Sequence, residues 1–199
     1  MIEKVQFHKQ DIFQTGLIWC DAVLSSQEQK KIIKDILDYE NSCSGTYTGG
    51  GFTTYDVMDN ILDLENCIGI KMIIEDIVQA VHDSLKFKGK VKISSSWGTV
   101  GRKFSSHNSH NHLPNLWSGV YYLKAENSCA PIEFIDRNKD NNWPWDYKTE
   151  DNKYASSTSV VQPVTGRLLI FPGYVQHSVL EQTDNEDRIT IAFNCNADF

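Results

Sequence analysis

The chain has 199 residues, which suffices for one domain with its own hydrophobic core. Its formal net charge of −7 argues against a general nucleic-acid binder, because phosphate contacts favour basic proteins. No apolar run approaches the roughly 18 residues of a membrane span, and the first residues lack the apolar core of a signal peptide.

The first half of the chain predicts two amphipathic helices. After Ser25 and Ser26, which suit an N-cap, residues 27–40 place apolar side chains at helical spacing. Residues 65–85 repeat isoleucine, valine and leucine at intervals of three and four. His82 falls on the polar side of this second helix, so we expect it at the surface.

A glycine-rich segment, TYTGGGFTTYD at residues 46–56, lies between the two predicted helices. Its three glycines are not followed by Lys-Ser or Lys-Thr, so a phosphate-binding loop is not indicated. We expect a flexible surface loop at this place.

From residue 91 onward the sequence predicts short β-strands. Seven runs rich in β-branched and aromatic residues are separated by turn residues and not by helices: VKISSSW, SGVYYLKA, PIEFID, SVVQP, RLLIFP, HSVLEQ and RITIAFN. This pattern favours an antiparallel sandwich or barrel. We therefore predict an α+β, mainly β fold in one domain, residues 1–199, with a helical part at 1–90 and a β core at 91–199.

One connection, residues 137–159, is unusually long. It is polar apart from four aromatic side chains, Trp143, Trp145, Tyr147 and Tyr154. Unstructured loops of this length are uncommon in compact domains. A lid over a binding site and a mobile surface excursion explain it equally well.

The histidines cluster. His107, His110 and His112 fall within the stretch SSHNSHNHLPN at residues 105–115. Residues i and i+2 of a strand share a face, so His110 and His112 can present two imidazoles side by side, whereas His107 faces away. This pair alone is weak evidence for a metal.

His177 follows a Pro-Gly turn at the start of a predicted strand, where it can face a cavity.

The run RITIAFN, residues 188–194, alternates between two faces. One face is apolar and suits a core, and the other carries the side chains of Arg188, Thr190, Ala192 and Asn194. If this second face lines a barrel interior, the Arg188 guanidinium and the Thr190 hydroxyl form a carboxylate receptor. If it faces water, it is an ordinary sandwich exterior.

The order HxH, distal histidine, Arg-x-Thr resembles that of the Fe(II)- and 2-oxoglutarate-dependent oxygenases. More narrowly, the blocks SSSWGTVGRKFSSHNSHNHLPNLWSGVYYLKA and GRLLIFPGYVQHSVLEQTDNEDRITIAFN are similar to a family of 2-oxoglutarate/Fe(II) oxygenases of bacteria and phages. The similarity spans residues 94–196, about half the chain. It implies a double-stranded β-helix, or jelly roll, with the N-terminal helices packed on it.

The resemblance implies a metal site. His110 and His177 are the implied iron ligands, and His112 stands where most members of the superfamily carry Asp or Glu. His107 is the alternative third ligand if the segment is not a regular strand. A neutral third imidazole in place of a carboxylate leaves the metal more positive.

The resemblance also implies a co-substrate pocket. Arg188, assisted by Thr190, would bind the far carboxylate of 2-oxoglutarate. Tyr122 and Asn194 are further candidates for this pocket. Strand alternation requires that one of Tyr121 and Tyr122 faces inward, and it leaves open which one.

The implied activity is that of a dioxygenase that hydroxylates an unidentified substrate and releases succinate and CO2. One alternative is a three-histidine, cupin-like metalloenzyme without 2-oxoglutarate, which would have no need of a carboxylate anchor such as Arg188. A second alternative is a non-enzymatic jelly roll that binds a partner, with the histidines as surface residues.

The expected partners are 2-oxoglutarate, O2 and a small molecule or peptide, with no nucleic acid and no membrane. A homodimer is the default expectation for the assembly. The five cysteines are scattered and odd in number, which favours reduced thiols in the cytoplasm of a bacterium or a phage-infected host. Trp97 and Trp117 are expected in the core.

Overall fold

Two antiparallel sheets and two α-helices make up the part of the chain that the structure describes. The structure is a computed structural model that describes residues 15–21, 23–126, 128–136 and 156–198. Most of the long predicted connection, residues 137–155, lies outside the described residues, so its function as a lid or as a surface excursion stays a prediction.

The helices are α1 (Ser26–Ser42) and α2 (Ile68–Ser84), and two short 3-10 turns, Ile61–Asp63 and Glu65–Cys67, precede α2. The described strands are β1 (Ile18–Cys20), β2 (Gly51–Thr53), β3 (Lys90–Gly101), β4 (His107–His110), β5 (Trp117–Lys124), β6 (Ile132–Ile135), β7 (Thr158–Val161), β8 (Leu168–Pro172), β9 (Gln176–Val179) and β10 (Arg188–Asp198). Both predicted helices and all seven predicted strands are confirmed. Strands β1, β2 and β4 escape prediction, because three or four residues are too few to establish an alternation.

The strands form a six-stranded sheet in the order β1-β8-β5-β10-β3-β2 and a four-stranded sheet in the order β4-β9-β6-β7. Neighbouring strands are antiparallel throughout the described pairings. The inner faces of the two sheets share a hydrophobic core, in which the rings of Phe134 on β6 and Phe171 on β8 lie 5.0 Å apart. This arrangement is the predicted jelly roll.

Both helices pack on the outer face of the six-stranded sheet. The apolar stripe of α1 buries Ile32 and Ile36, and α2 buries Ile74 and Val78 in the same cluster as Ile191 of β10. The apolar face of β10 therefore meets the helices, and its polar face points between the sheets. Neither helix has the length and apolarity that crossing a membrane requires; this finding covers the described residues only.

Helix α1 starts one residue earlier than predicted because Ser25 caps it. The Ser25 hydroxyl accepts a hydrogen bond from the backbone N–H of Glu28 at 3.4 Å. In return, the Glu28 carboxylate accepts a hydrogen bond from the backbone N–H of Ser25 at 2.9 Å. This capping box satisfies two backbone donors that the helix itself leaves unpaired.

Replacing Ser25 with alanine is expected to lower the free energy of unfolding by about 1 kcal/mol, because the Glu28 N–H loses its partner. Urea unfolding followed by circular dichroism measures the change. Ser26→Ala, one position along the same turn, is the matched control and should change stability by less than about 0.5 kcal/mol. Equal losses in the two variants would show that the capping box does not stabilise α1.

The prediction that His82 lies at the surface is wrong, since only 1% of this residue is exposed. The Trp117 indole N–H donates to Nδ1 of His82 across 3.3 Å, so the Nε2–H of His82 donates to the carbonyl oxygen of Lys88 at 2.8 Å. The chain folds back over the polar side of α2 at this point, and the Phe87 ring packs 5.4 Å from the imidazole. Trp117 is in the core, as predicted.

Candidate active site

One cavity of about 420 Å³ between the two sheets brings together most of the predicted site residues. His110, His112 and His177 line it, and so do Arg188 and Thr190. The polar face of β10 therefore faces the barrel interior and not bulk water, which removes the alternative of an ordinary sandwich exterior.

The three predicted metal ligands converge at this cavity. His110 on β4 lies opposite His177 on β9 as a cross-strand pair, and their ring centroids are 4.3 Å apart. The ring of His112 lies 4.9 Å from that of His110 and 5.0 Å from that of His177. One ligand atom from each residue lies within 4.8 Å of the other two. Metal–nitrogen bonds are about 2.1 Å long, so the imidazoles must converge slightly further to share one ion.

The backbone around the Pro-Gly turn positions His112, which lies just beyond the end of β4. Its N–H donates to the carbonyl oxygen of Gly173 at 2.8 Å, in the turn that leads into β9 and His177. A Cβ at Gly173 would lie 2.2 Å from the carbonyl oxygen of Asn115. Glycine is therefore required for the close approach that places His112 beside His177.

Backbone carbonyls fix the ring orientation of two of the histidines. Nδ1 of His110 lies 2.7 Å from the carbonyl oxygen of Asn108, and Nδ1 of His177 lies 2.9 Å from that of Val175. A carbonyl oxygen only accepts, so each Nδ1 carries the proton, and the Nε2 lone pair is left for a metal. This is the usual outer-sphere arrangement of metal-binding histidines.

The imidazoles of His112 and His177 are also held in the neutral form that binds metals. Burial lowers the pKa of His112 to about 3, and the neighbouring histidines, with His177 first, lower it further. Burial lowers the pKa of His177 to about 4, although its hydrogen bond to the Val175 carbonyl acts in the opposite direction. At neutral pH both rings are therefore unprotonated, and no proton has to leave before an ion binds.

The prediction that His107 faces away from the other histidines is wrong. The pairing of β4 with β9 shifts register between His107 and His110, so the simple alternation of a strand is interrupted. The two rings lie 4.2 Å apart, and His107 also lines the cavity, where it packs 5.8 Å from the ring of Tyr47. The group whose ligand atoms converge consists of His110, His112 and His177 and does not include His107.

Arg188 is a buried cation without an ion-pair partner among the described residues. Only 4% of the residue is exposed, and its Nε has no hydrogen-bond partner. Thr190 lines the same cavity two residues along β10. Buried charges are normally paired, so an unpaired guanidinium facing a cavity indicates an anionic ligand, for which a carboxylate is the best geometric match.

Of the two candidate tyrosines, Tyr122 faces the barrel interior. It lies opposite Thr190 in the β5–β10 pairing, and its ring lies 5.1 Å from the guanidinium carbon of Arg188. Its hydroxyl is buried without a hydrogen-bond partner. The hydroxyl of Tyr121 instead accepts a hydrogen bond from Nε2 of Gln29 on α1, at 3.0 Å.

The structure does not bring Asn194 to the cavity. Its Oδ1 accepts a hydrogen bond from the Ser118 hydroxyl at 2.7 Å, and its Nδ2 donates to the Ser95 hydroxyl at 3.1 Å. Asn194 thus ties β10 to both of its neighbouring strands through both ends of its side-chain amide. Alternation alone placed it on the correct face but could not reveal these partners.

The prediction of a flexible surface loop at residues 46–56 is wrong. Residues 51–53 form β2, an edge strand that pairs with β3, and the segment lines the cavity with Tyr47, Tyr55 and Asp56 among others. Gly51 has φ +111, and a Cβ there would lie 2.1 Å from the Val100 carbonyl oxygen. The sequence signal for this strand is the run of three glycines before Phe52 and Thr53.

Trp97 is in the core as predicted, but its side chain also lines the cavity. Its ring lies 5.8 Å from that of His112, and the Tyr55 ring packs against it edge-on at 5.1 Å. The wall of the cavity beside the histidines is therefore aromatic.

Comparison with known proteins identifies one family and several similar folds. The family model of the 2OG-Fe(II) oxygenases matches residues 95–194. Among solved structures, a Pseudomonas putida prolyl-4-hydroxylase superposes with a TM-score of 0.67 at 12% identity, covering 93% of this chain and 94% of that one. HygX from Streptomyces hygroscopicus, solved with nickel and 2-oxoglutarate, gives 0.64 at 13% identity, covering 93% and 84%.

A viral collagen prolyl hydroxylase from Paramecium Bursaria Chlorella virus-1, solved with 2-oxoglutarate, gives a TM-score of 0.60 at 12% identity. The alignment covers 92% of this chain and 96% of that one. At these identities the likeness shows the fold alone. No curated protein matches the chain in sequence.

A jelly roll with three converging imidazoles and a buried arginine in one cavity defines a mononuclear non-haem metalloenzyme of the oxygenase class. The chain belongs to the 2OG-Fe(II) oxygenase family, whose model covers half of it. It is a 2-oxoglutarate- and Fe(II)-dependent oxygenase, an oxidoreductase. This result decides against the cupin-like enzyme without 2-oxoglutarate and against the non-enzymatic jelly roll.

Proposed function

We propose that His110, His112 and His177 hold Fe(II), while Arg188 anchors the far carboxylate of 2-oxoglutarate with help from Thr190. The observation that carries this proposal is the unpaired, buried Arg188 in the same cavity as the convergent histidines. Each group alone has an ordinary structural explanation. Together in one cavity they match the two ligands that the family uses.

Tyr122 is included in the proposed anchor, and Asn194 is not. The Tyr122 hydroxyl and the Arg188 Nε are the two buried side-chain polar atoms without a partner among the described residues, and they belong to adjacent side chains. A buried polar atom without a partner costs about 1–3 kcal/mol, so a carboxylate that pairs with both groups would be bound favourably. Both ends of the Asn194 side-chain amide are already hydrogen-bonded to serines.

Bound Fe(II) supplies the redox chemistry that couples decarboxylation of 2-oxoglutarate by O2 to substrate oxidation. The overall reaction balances as substrate C–H plus O2 plus 2-oxoglutarate giving C–OH, succinate and CO2. The chain contributes three neutral ligands, a fixed anchor for the co-substrate, and an apolar wall from Val120, Ile132 and Phe171 that limits water. No general base is required by this balance.

Succinate release tests the proposal directly. Protein mixed anaerobically with Fe(II) and 2-oxoglutarate should develop a weak visible absorption band, and admission of air should yield succinate even without a substrate. Boiled protein with the same iron is the control for free-metal chemistry. Stoichiometric iron binding without 2-oxoglutarate-dependent succinate release would contradict the proposed function.

The identity of the third ligand has its own test. His112→Ala is expected to weaken Fe(II) binding at least about tenfold, whereas His107→Ala should retain it. His112→Asp should restore binding, because a carboxylate is the more usual third ligand beside two histidines. Anaerobic equilibrium dialysis with Fe(II) measures all three variants. If His107→Ala loses Fe(II) binding and His112→Ala retains it, His107 is the third ligand.

The proposal also covers the cellular compartment, the class of substrate and the assembly of the enzyme. All five cysteines are free thiols, which agrees with a reducing cytoplasm of a bacterium or a phage-infected host. The net charge of −7 supports a small molecule or peptide, and not a nucleic acid, as substrate. We further propose a homodimer and a single domain over residues 1–199; a shared core of the helices and the larger sheet supports the single domain.

A further inference from the structure

The cavity has two chemically different ends. In the β10–β3 pairing, Arg188 lies opposite Gly101 and Ala192 lies opposite Trp97. Four residues of a strand span roughly 13 Å, so Trp97 stands well away from the Arg188 guanidinium. The Trp97 ring lies 5.8 Å from that of His112, which places the aromatic end beside the metal ligands. The aromatic end is thus free for a substrate while Arg188 holds the co-substrate.

A short turn after β2 completes the aromatic end. The Thr54 N–H donates to the carbonyl oxygen of Gly98 at 3.0 Å, and the Gly98 N–H donates to the Thr54 hydroxyl at 3.0 Å. The Met58 N–H donates to the carbonyl oxygen of Thr54 at 3.1 Å, which completes the turn. These bonds tie the turn to β3, so Tyr55 and Asp56 are held at the cavity and not on a freely moving loop.

Asp56 is the single negatively charged side chain among the described residues that line the cavity, and Arg188 is the single permanent cation. Within the described part of the chain, Asp56 has no hydrogen bond and no ion pair. It follows Tyr55, whose ring contacts Trp97 edge-on at 5.1 Å. An unpaired carboxylate and two aromatic rings that line the same end of one cavity are a combination that suits an organic cation.

We infer that this end of the cavity recognises a substrate bearing an ammonium or guanidinium group, which pairs with Asp56 and packs on Tyr55 and Trp97. The inference rests on the proposed function and names the substrate class of the same site. The cation is a recognition group and is not consumed, so the oxidised carbon lies elsewhere on the substrate, towards His112. An anionic substrate would be repelled by Asp56, which has no internal partner to neutralise it.

Binding of two matched probes tests the inference without knowledge of the true substrate. Protein loaded with Zn(II) and 2-oxoglutarate, which cannot turn over, is titrated with n-pentylammonium and with 1-pentanol, its neutral analogue. We expect the ammonium to bind about fivefold more tightly, as suits a partly exposed ion pair with an aromatic wall. Equal binding of the two probes would overturn the inference.

Three variants test whether Asp56 is the carboxylate responsible for the preference. Asp56→Asn should bring the affinity ratio of the two probes close to one, and Asp56→Glu should keep it above one. Asp59→Asn removes a nearby exposed carboxylate that does not line the cavity, and it should leave the ratio unchanged. An equal drop in Asp59→Asn would show only a general effect of negative charge and would overturn the assignment to Asp56.

Turnover separates this inference from the proposed function. With Fe(II) in air, capped lysine or arginine should raise succinate release above the substrate-free rate, and capped norleucine should raise it less. If no 2-oxoglutarate-dependent succinate release is detected, the proposed function itself is wrong. If succinate is released without substrate and the cationic and neutral probes raise that rate equally, the proposed function stands and the cationic specificity is overturned.

Discussion

Arg188→Ala is expected to weaken 2-oxoglutarate binding by about 1.5–3 kcal/mol, which is roughly a ten- to hundredfold rise in Kd. The reason is that Arg188 is only 4% exposed and its Nε has no hydrogen-bond partner, so the proposed pair with the carboxylate would form in a site largely shielded from water. Arg188→Lys should give an intermediate loss, because an ammonium keeps the charge but cannot grip both carboxylate oxygens.

Calorimetric titration of the Zn(II)-loaded protein with 2-oxoglutarate measures this change. Arg102→Ala is the matched control, because Arg102 forms surface ion pairs with Glu40 and Asp187 and does not line the cavity. The control should keep the affinity of the unmodified protein. Unchanged affinity in Arg188→Ala would place the anchor elsewhere.

The same residue has an expected effect on stability that a purely structural role would not produce. A buried guanidinium without a partner destabilises the fold, so Arg188→Met should keep or raise the melting temperature of the ligand-free protein while it loses 2-oxoglutarate binding. Differential scanning calorimetry measures the first quantity. A clear drop in melting temperature would instead indicate that Arg188 stabilises the barrel.

His177→Ala is expected to abolish stoichiometric Fe(II) binding and, with it, succinate release. The rings of His110, His112 and His177 form a nearly equilateral triangle with sides of 4.3, 4.9 and 5.0 Å, and the hydrogen bond of His177 to the Val175 carbonyl fixes its ring orientation. Loss of an outer-sphere partner alone typically costs about 10–100-fold in metal affinity, so loss of a ligand should exceed this range.

Anaerobic equilibrium dialysis with Fe(II), together with a succinate assay in air, measures the effect of His177→Ala. His82→Ala is the informative control, because His82 is equally buried but lies outside the cavity, between Trp117 and Lys88. This control should lose stability and keep its iron. Full stoichiometric binding in His177→Ala would mean that the ligand set is wrong.

The sequence was sufficient for those features that depend on local periodicity. Alternation along β10 separates the core face, with Ile191, from the cavity face, with Arg188 and Thr190, and the structure confirms both faces. The spacing of His110 and His112 likewise suited two imidazoles on one side. The β10 prediction succeeds because side-chain direction in a strand repeats every two residues whatever the strand pairs with. His112 lies beyond the end of β4, so the hydrogen bond from its N–H to the Gly173 carbonyl, and not alternation, places it beside the other histidines.

The errors have a different origin. His107 turns towards His110 because the pairing of β4 with β9 shifts register, and His82 is buried because the chain folds back over α2. The side-chain amide of Asn194 is hydrogen-bonded to serines on the two neighbouring strands. Each outcome depends on a partner distant in the chain, so no local pattern contains it.

The sequence therefore predicted the class of fold, the histidines of the candidate metal site and an arginine on the cavity face of β10, because each depends on a short repeat or an ordered motif. Tertiary structure alone decided which histidines converge and which tyrosine faces inward. It also brought the 46–56 segment, with Asp56, to the wall of the cavity. The physical reason is that a cavity is built by long-range strand pairing, which local propensities do not specify.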